Sequence, residues 1–108
     1  MDRRKSNAIN LAKDFKRKAA KKFGISRIIL FGSFATGRPH KWSDIDLLVV
    51  SNRVKKKSDF MSKLSWEWHI KQKKDFPIDF ICYTSKEFQK LSKEISIVSQ
   101  ALKEGIEL

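Results

Sequence analysis

The chain is poor in the residues that would make it anything other than a small globular domain. Of its 108 residues one is a cysteine, Cys82, which excludes an internal disulfide and any cysteine-based zinc site. Prolines number two and glycines four, and there is no internal repeat, low-complexity tract or linker. Apolar runs are short: the longest are Ile28–Phe31 and Leu47–Val50, far below a membrane span. The first 30 residues are charged and carry no long apolar stretch, which argues against a secretory signal. A cytoplasmic, non-membrane protein forming one domain over residues 1–108 is therefore expected. Acidic residues are also scarce, 12 against 24 Lys and Arg, leaving a net charge of +12. That excess attracts anions such as nucleic acid, nucleotide phosphates or an acidic protein. It equally suits a solubilising lysine surface, or the lysine enrichment of thermophile proteins.

What is present is a hydrophobic fraction of 41%, enough for a modest core. Ala8, Ala12, Phe15, Ala19 and Phe23 recur at helical spacing, predicting an amphipathic helix over residues 7 to 23 that Gly24 ends. Residues 27 to 31 read as a buried strand and residues 34 to 43 as turn-like, with room for a short helix. Residues 45 to 50 read as a central strand, being nearly all apolar. Ser58 is expected to cap a helix reaching about Lys74, with Met61, Leu64 and Trp68 inward. Trp66 and Trp68 lie two apart and cannot share a face, so one of them should point outward. Pro77 opens a third strand, 78 to 83. Thr84 and Glu87 have capping-box spacing before one long helix striped by Phe88, Leu91, Ile95, Val98 and Leu102 and closed by Gly105. That stripe is expected to be core and leaves homo-oligomerisation open. The expected fold class is α/β (α+β), a small mixed sheet of three to four strands flanked by helices.

Three carboxylates sit where carboxylates are costly. Asp44 and Asp46 flank Ile45 at the mouth of an apolar strand and point the same way, with Cα atoms roughly 6.5–7 Å apart. Two anions on one face repel, and a hard cation between them relieves the repulsion. An all-oxygen donor set with room for water and phosphate suits Mg²⁺ or Mn²⁺. Asp79 lies in a strand expected to be buried, where an unpaired carboxylate is expensive. If its strand neighbours that of Asp46, the three converge as a two-metal phosphoryl-transfer site would require. Alone, Asp-x-Asp is more often a solvated strand end. Gly32-Ser33, directly after the first strand, together with Asp79 downstream reverses that balance, because glycine permits close backbone approach to a phosphate and Ser33 adds a hydroxyl.

The run Gly32-Ser33-Phe34-Ala35-Thr36-Gly37-Arg38, followed by Ser43-Asp44-Ile45-Asp46-Leu47-Leu48-Val49-Val50 and then Asp79, closely resembles the signature of the DNA polymerase β-like nucleotidyltransferases. Within that superfamily the match is to the minimal nucleotidyltransferases, and it covers roughly residues 25 to 83. The resemblance implies a polymerase β-like fold in which Asp44 and Asp46 hold two metal ions. Asp79 would bind the catalytic one and help deprotonate the acceptor, while Gly32 and Ser33 hold the β- and γ-phosphates of a nucleoside triphosphate, with ATP favoured. It also implies a helical partner of the HEPN type in a toxin–antitoxin pair, neutralised by AMP transfer or by masking. A protein or RNA hydroxyl is the acceptor expected.

Around this core the readings are looser. Arg38, His40 and Lys41 precede Asp44 and are placed to reach a triphosphate or the acceptor, although a solvated basic loop is as ordinary; Arg38 is expected to contact the nucleotide. Trp42 is expected to pack in the turn, His69 to be structural and Cys82 to be core. Lys55-Lys56-Lys57 and Lys71-Gln72-Lys73-Lys74 read as solvated faces before they read as a nucleic-acid patch. Two other functions stay in view: a non-catalytic subunit that masks its partner, and a basic nucleic-acid-binding module.

Overall fold

The computed structural model describes residues 3–37, 39 and 43–108, so Arg38, His40, Lys41 and Trp42 lie outside the described residues. The chain opens with a helix α1 (Arg3–Phe23), then β1 (Ile25–Phe31), a four-residue helix α2 (Ser33–Thr36) and β2 (Ile45–Ser51). Helix α3 (Lys57–Trp66) continues into a π-helical segment, Glu67–Lys71, and leads to β3 (Ile78–Tyr83). Two short helices, α4 (Ser85–Ser92) and α5 (Ile97–Glu104), precede a two-residue strand β4 (Ile106–Glu107). The strands form one sheet in the order β3-β2-β1-β4, antiparallel except for the parallel β2–β3 pair. The expected α/β class with a mixed, helix-flanked sheet is what the chain adopts.

The central strands are buried on both faces, which is why they read as continuous apolar runs. Ile28, Leu30, Leu47, Val49, Phe80 and Cys82 join the larger core, under α1 and α3. Ile29, Leu48 and Val50 meet Phe88, Val98 and Ala101 of α4 and α5 in a smaller one. Helix α1 can approach the sheet closely because Ala8, Ala12 and Ala19, all fully buried, present almost no side chain. Its one large buried residue at mid-helix, Phe15, packs 5.5 Å from the Trp68 ring and 5.3 Å from Phe80. Gly24 ends α1 at φ +63°, a left-handed conformation that favours glycine.

Several boundaries differ from expectation, each for a local reason. The helix that Ser58 is expected to cap starts two residues earlier, with Lys56 at the N-cap and no side-chain cap. Its helical ladder changes at Glu67, where Gln72 N–H reaches back five residues to the Glu67 carbonyl at 2.8 Å. Trp68 anchors the segment from the core, fully buried with its Nε1–H donating to the Phe76 carbonyl at 2.8 Å, while Trp66 is the exposed member of the pair. The expected long C-terminal helix is two helices. Ser96 ends the continuity by capping α5, its hydroxyl accepting from Ser99 N–H at 3.2 Å in a second capping box. Ile95 is therefore wholly exposed and Leu102 is exposed, so the apolar stripe that left homo-oligomerisation open is not one helix face. Thr84 and Glu87 do form the expected capping box.

The lysine run 71–74 is not simply a solvated face. Lys74 is buried, and its ammonium donates to Asp14 at 2.8 Å and to Gln72 Oε1 at 2.7 Å beneath the Trp68 ring. Lys74, Lys18 and Arg17 together hold the Asp14 carboxyl well below the usual carboxylate range. Lys57 likewise donates to the Cys82 carbonyl at 2.7 Å and to Glu87 at 2.9 Å. Cys82 is core as expected, and burial pushes its thiol up to about 12, so it is unreactive.

The two neighbouring tryptophans make a clean comparison. Trp68→Ala should cost about 3–5 kcal/mol, since it removes a fully buried ring and a hydrogen bond. Trp66→Ala should stay within about 0.5 kcal/mol. Urea unfolding of both variants checks this, and similar losses at the two positions would contradict the packing described.

Candidate functional site

The parallel pairing of β2 and β3 begins where Ile45 N–H donates to the Pro77 carbonyl at 2.9 Å. Pro77 has no N–H of its own to leave unpaired, and it stands just ahead of the strand. That first bond fixes the register: Ile45 opposite Ile78, Asp46 opposite Asp79, Leu47 opposite Phe80. Because side chains alternate along a strand, Asp46 shares its face with Leu48 and Val50, the face that α4 and α5 cover. Neither short helix shields the aspartates completely. Asp46 is half-buried, while Asp44 and Asp79 are exposed. Asp79 is exposed rather than buried as expected, because β3 is an edge strand and Asp79 lies near its start, while Phe80 beside it turns into the core.

Asp46 carries the electrostatic cost of this arrangement. Its carboxyl is raised from an ordinary 3.8 to about 6, first by burial, then by the charge of Asp79 and then by that of Asp44. Phe31 of β1 sits in register with Asp46 on the other side. The next residue, Gly32, adopts φ +76°, and a Cβ there would overlap Asp46 Oδ2. Glycine at 32 is thus required twice, by backbone conformation and by the carboxylate beside it. The Gly32 carbonyl then accepts from Ala35 N–H at 3.1 Å and Thr36 N–H at 3.2 Å, which folds Ser33–Thr36 into α2 beside the carboxylates.

The structure therefore brings together Asp46, Asp79 and Gly32, with Asp44 at the strand mouth close enough to raise the Asp46 carboxyl and Ser33 next in the chain. Arg38 and its neighbours His40, Lys41 and Trp42 lie outside the described residues. His69 is structural as expected: its Nδ1 lies 2.9 Å from the Lys74 carbonyl. Among the described residues no three His, Cys, Asp or Glu side chains are gathered into a finished metal cage. The donor set nonetheless fits a hard divalent ion, being all carboxylate oxygen, crowded with like charge and open to solvent on one side.

One feature of the site was not anticipated. A cavity of about 380 Å³ adjoins Gly32, between the end of β1 and α5, with Phe31, Thr36, Gln100 and Ala101 in its walls. A single striped helix over residues 85–104, as the apolar spacing predicts, gives no sign of it. The signal available was the Ser96-x-x-Ser99 pair, which breaks that helix and turns α5 toward β1.

A mixed sheet with a carboxylate pair on adjacent parallel strands and a glycine-serine turn at the end of the antiparallel neighbour is the architecture of a nucleotidyltransferase domain. The family model for the nucleotidyltransferase domain matches residues 11–106, and the chain belongs to that family. Over 50 residues it is 42% identical to a candidate protein adenylyltransferase from Methanocaldococcus jannaschii, a match to 44% of this chain. The match spans only about a third, 34%, of that relative's length. Among solved structures, a candidate nucleotidyltransferase from Sulfolobus solfataricus superposes with a TM-score of 0.62 at 19% identity, over 95% of this chain and 80% of the other. A mutant of the toxin–antitoxin pair MntA–HpeT superposes with a TM-score of 0.52 at 19% identity, over 95% and 70%. These two likenesses concern the fold. No helix among the described residues is long and apolar enough to cross a membrane.

The raised Asp46 carboxyl gives a signed prediction. A group whose folded-state value is raised contributes stability that is fully present below its unfolded value near 3.8 and is lost as pH rises through about 6. At pH 7 without divalent ions, Asp46→Asn should therefore be more stable than wild type, by on the order of 1 kcal/mol after allowing for solvent screening of a half-buried group. The advantage should shrink as pH falls from 6 towards 4. Thermal unfolding across that window checks it, and a variant less stable at pH 7 would contradict it.

Proposed function

We propose that the chain is a metal-dependent nucleotidyltransferase that moves AMP from ATP to a hydroxyl of a protein or RNA and releases pyrophosphate. The observation that carries this reading is the in-register pair Asp46–Asp79 with Asp44 beside it and Gly32 folded against Asp46. A half-buried carboxylate such as Asp46, raised by burial and by two carboxylate neighbours, is costly by itself and useful around a cation.

In this reading Asp44 and Asp46 hold two Mg²⁺ or Mn²⁺ ions and Asp79 holds one of them. A bound divalent ion supplies Lewis-acid neutralisation of the charge that develops on the phosphates. Gly32 and Ser33 hold the β- and γ-phosphates through a backbone that no side chain obstructs, and Arg38 is the proposed further contact to the triphosphate. Asp79, exposed on the edge strand, is open to an incoming acceptor and takes the proton from its hydroxyl. The acceptor oxygen bonds to the α-phosphorus in line, the α–β phosphoanhydride bond breaks, and pyrophosphate carries away the electron pair.

The relative named as a candidate protein adenylyltransferase supports AMP as the transferred group. Likeness to a toxin–antitoxin structure supports a partner protein, which we propose is a HEPN-type toxin that this chain counters as antitoxin. The charge of +12 favours an acidic or phosphate-bearing acceptor, RNA included.

With α-labelled ATP and Mg²⁺ in an extract of the source cell, wild type should label a discrete protein or RNA band. Asp79→Ala should reduce that label by at least about a hundredfold, while its exposed position keeps the stability change within about 0.5 kcal/mol. Equal labelling by both proteins would remove Asp79 from the mechanism. An absence of label with either, in extract that contains the partner, would favour a subunit that acts by masking.

A further inference from the structure

We infer that the outward face of α3 is a docking surface for a protein partner that lays an acidic amphipathic helix along it. The inference goes beyond nucleotidyl transfer and stands whether or not that reading holds.

The surface begins as a pattern in the sequence. Ser58, Met61, Ser62, Ser65, Trp66 and Ile70 lie at steps of three and four along α3 and its π-helical end, hence on one side of the rod. None of them is charged, in a chain whose residues are 33% charged. They line an open groove of about 590 Å³. Trp66 is 58% exposed and Ile70 51%, and the serines between them are small enough to let a second helix approach. From Ser58 to Ile70 the groove follows the rod for roughly 18 Å, the length of about three helical turns.

This exposure is built in. One residue on from Trp66, the Glu67 carboxylate is buried and accepts from Lys22 at 2.9 Å and Gln72 at 3.0 Å. Trp68 is held in the core by its bond to the Phe76 carbonyl. The rod cannot turn to bury Trp66 and Ile70 without breaking these bonds and exposing Trp68. A groove fixed in this way meets its occupant without a cost of ordering.

Charge identifies the occupant. One position on from Ser58 and Ser62, Asp59 and Lys63 line a neighbouring cleft of about 250 Å³ together with Arg53, Lys55 and Lys56. Four cations there face one carboxylate, and Lys55, Lys56 and Lys63 have no ion-pair partner among the described residues. A helix seated in the groove therefore finds its favourable flanking charge in Asp and Glu. A second copy of this chain would bring the same four cations against these. A nucleic acid would meet the cations too, but cations and apolar residues stand here in separate stripes, and Met61 and Ile70 cannot stack a base. Helix α3 covers the side of the sheet opposite the one that Asp46 shares with α4 and α5, so the occupant leaves the carboxylates open.

The test selects binders of the full chain from a displayed library of helical peptides of about 20 residues. Stripe positions are drawn from Leu, Ile, Met and Ala, and flanking positions equally from Glu, Lys and Gln. Selected peptides are titrated against wild type, a Trp66→Ser, Ile70→Ser variant and a Lys55→Glu, Lys56→Glu, Lys63→Glu variant. All five side chains are exposed, and urea unfolding checks that each variant is folded. Glu should exceed Lys at the flanking positions at least about fivefold. The Trp66→Ser, Ile70→Ser variant should bind at least about tenfold more weakly, and the lysine variant should lose the preference for Glu flanks. Glu enrichment with binding unchanged by Trp66→Ser, Ile70→Ser would report only the overall charge of +12 and overturns the docking surface, as does failure to select any binder. Two further arms separate the other occupants. Self-association of wild type in sedimentation, abolished by Trp66→Ser, Ile70→Ser, would assign the groove to a second copy. Binding of a single-stranded RNA oligonucleotide that falls as far in that variant would assign it to nucleic acid. Either result overturns the proposal.

Discussion

The pairing of Asp46 with Asp79 is the constraint around which the rest of this molecule is arranged. Two carboxylates in register on adjacent parallel strands, with a third at the strand mouth, work against folding: burial and the two neighbouring charges raise Asp46 to about 6. The surrounding structure holds that register against the repulsion. The bond from Ile45 N–H to the Pro77 carbonyl sets it, and Leu47, Leu48, Val49 and Val50 lock it by packing on both faces of the sheet. A shift by one residue would turn each of these side chains to the opposite face, a change that a strand packed into two different cores strongly resists.

Stability is concentrated on the face of the sheet away from the carboxylates. There Phe15, Trp68 and Phe80 form an aromatic group, and the buried Lys74 ammonium is satisfied by Asp14 and Gln72 under the Trp68 ring. The face that bears the site is covered by two eight-residue helices, each begun by its own capping box. This division suits a domain that must keep one side open: the thick core carries the fold, and the thin cover leaves Asp46 half-exposed and a cavity beside Gly32.

Much of this could be read from the chain itself. The strands were legible because their apolar runs are nearly uninterrupted, and the carboxylates of the candidate site stood out because Asp44, Asp46 and Asp79 interrupt or border such runs. Gly32 was legible as a turn glycine, but its second role, making room for the Asp46 carboxylate, depends on contact between β1 and β2 that spacing cannot show. The C-terminal region misled because Phe88, Leu91, Ile95, Val98 and Leu102 fit a helical period, yet Ser96 caps a new helix and leaves Ile95 in solvent. Local hydrogen bonding by a serine overrode periodicity there. Lys74 misled in the opposite way: a lysine run signals a solvated face, and only the fold places Asp14, distant in sequence, where it can draw one ammonium inside.

Under the proposed function, a divalent cation held with a nucleotide relieves the Asp46–Asp79 repulsion. The most direct measurement is the thermal midpoint of wild type and Asp46→Asn, each with and without Mn²⁺ and a non-hydrolysable ATP analogue. Ligand at about a hundred times its dissociation constant should stabilise wild type by about 2.7 kcal/mol, a rise of several degrees for a domain of this size. The same additions should move Asp46→Asn little, because the variant has lost a ligand and has no repulsion left to relieve. Equal shifts in the two proteins, or none in wild type, would contradict the claim.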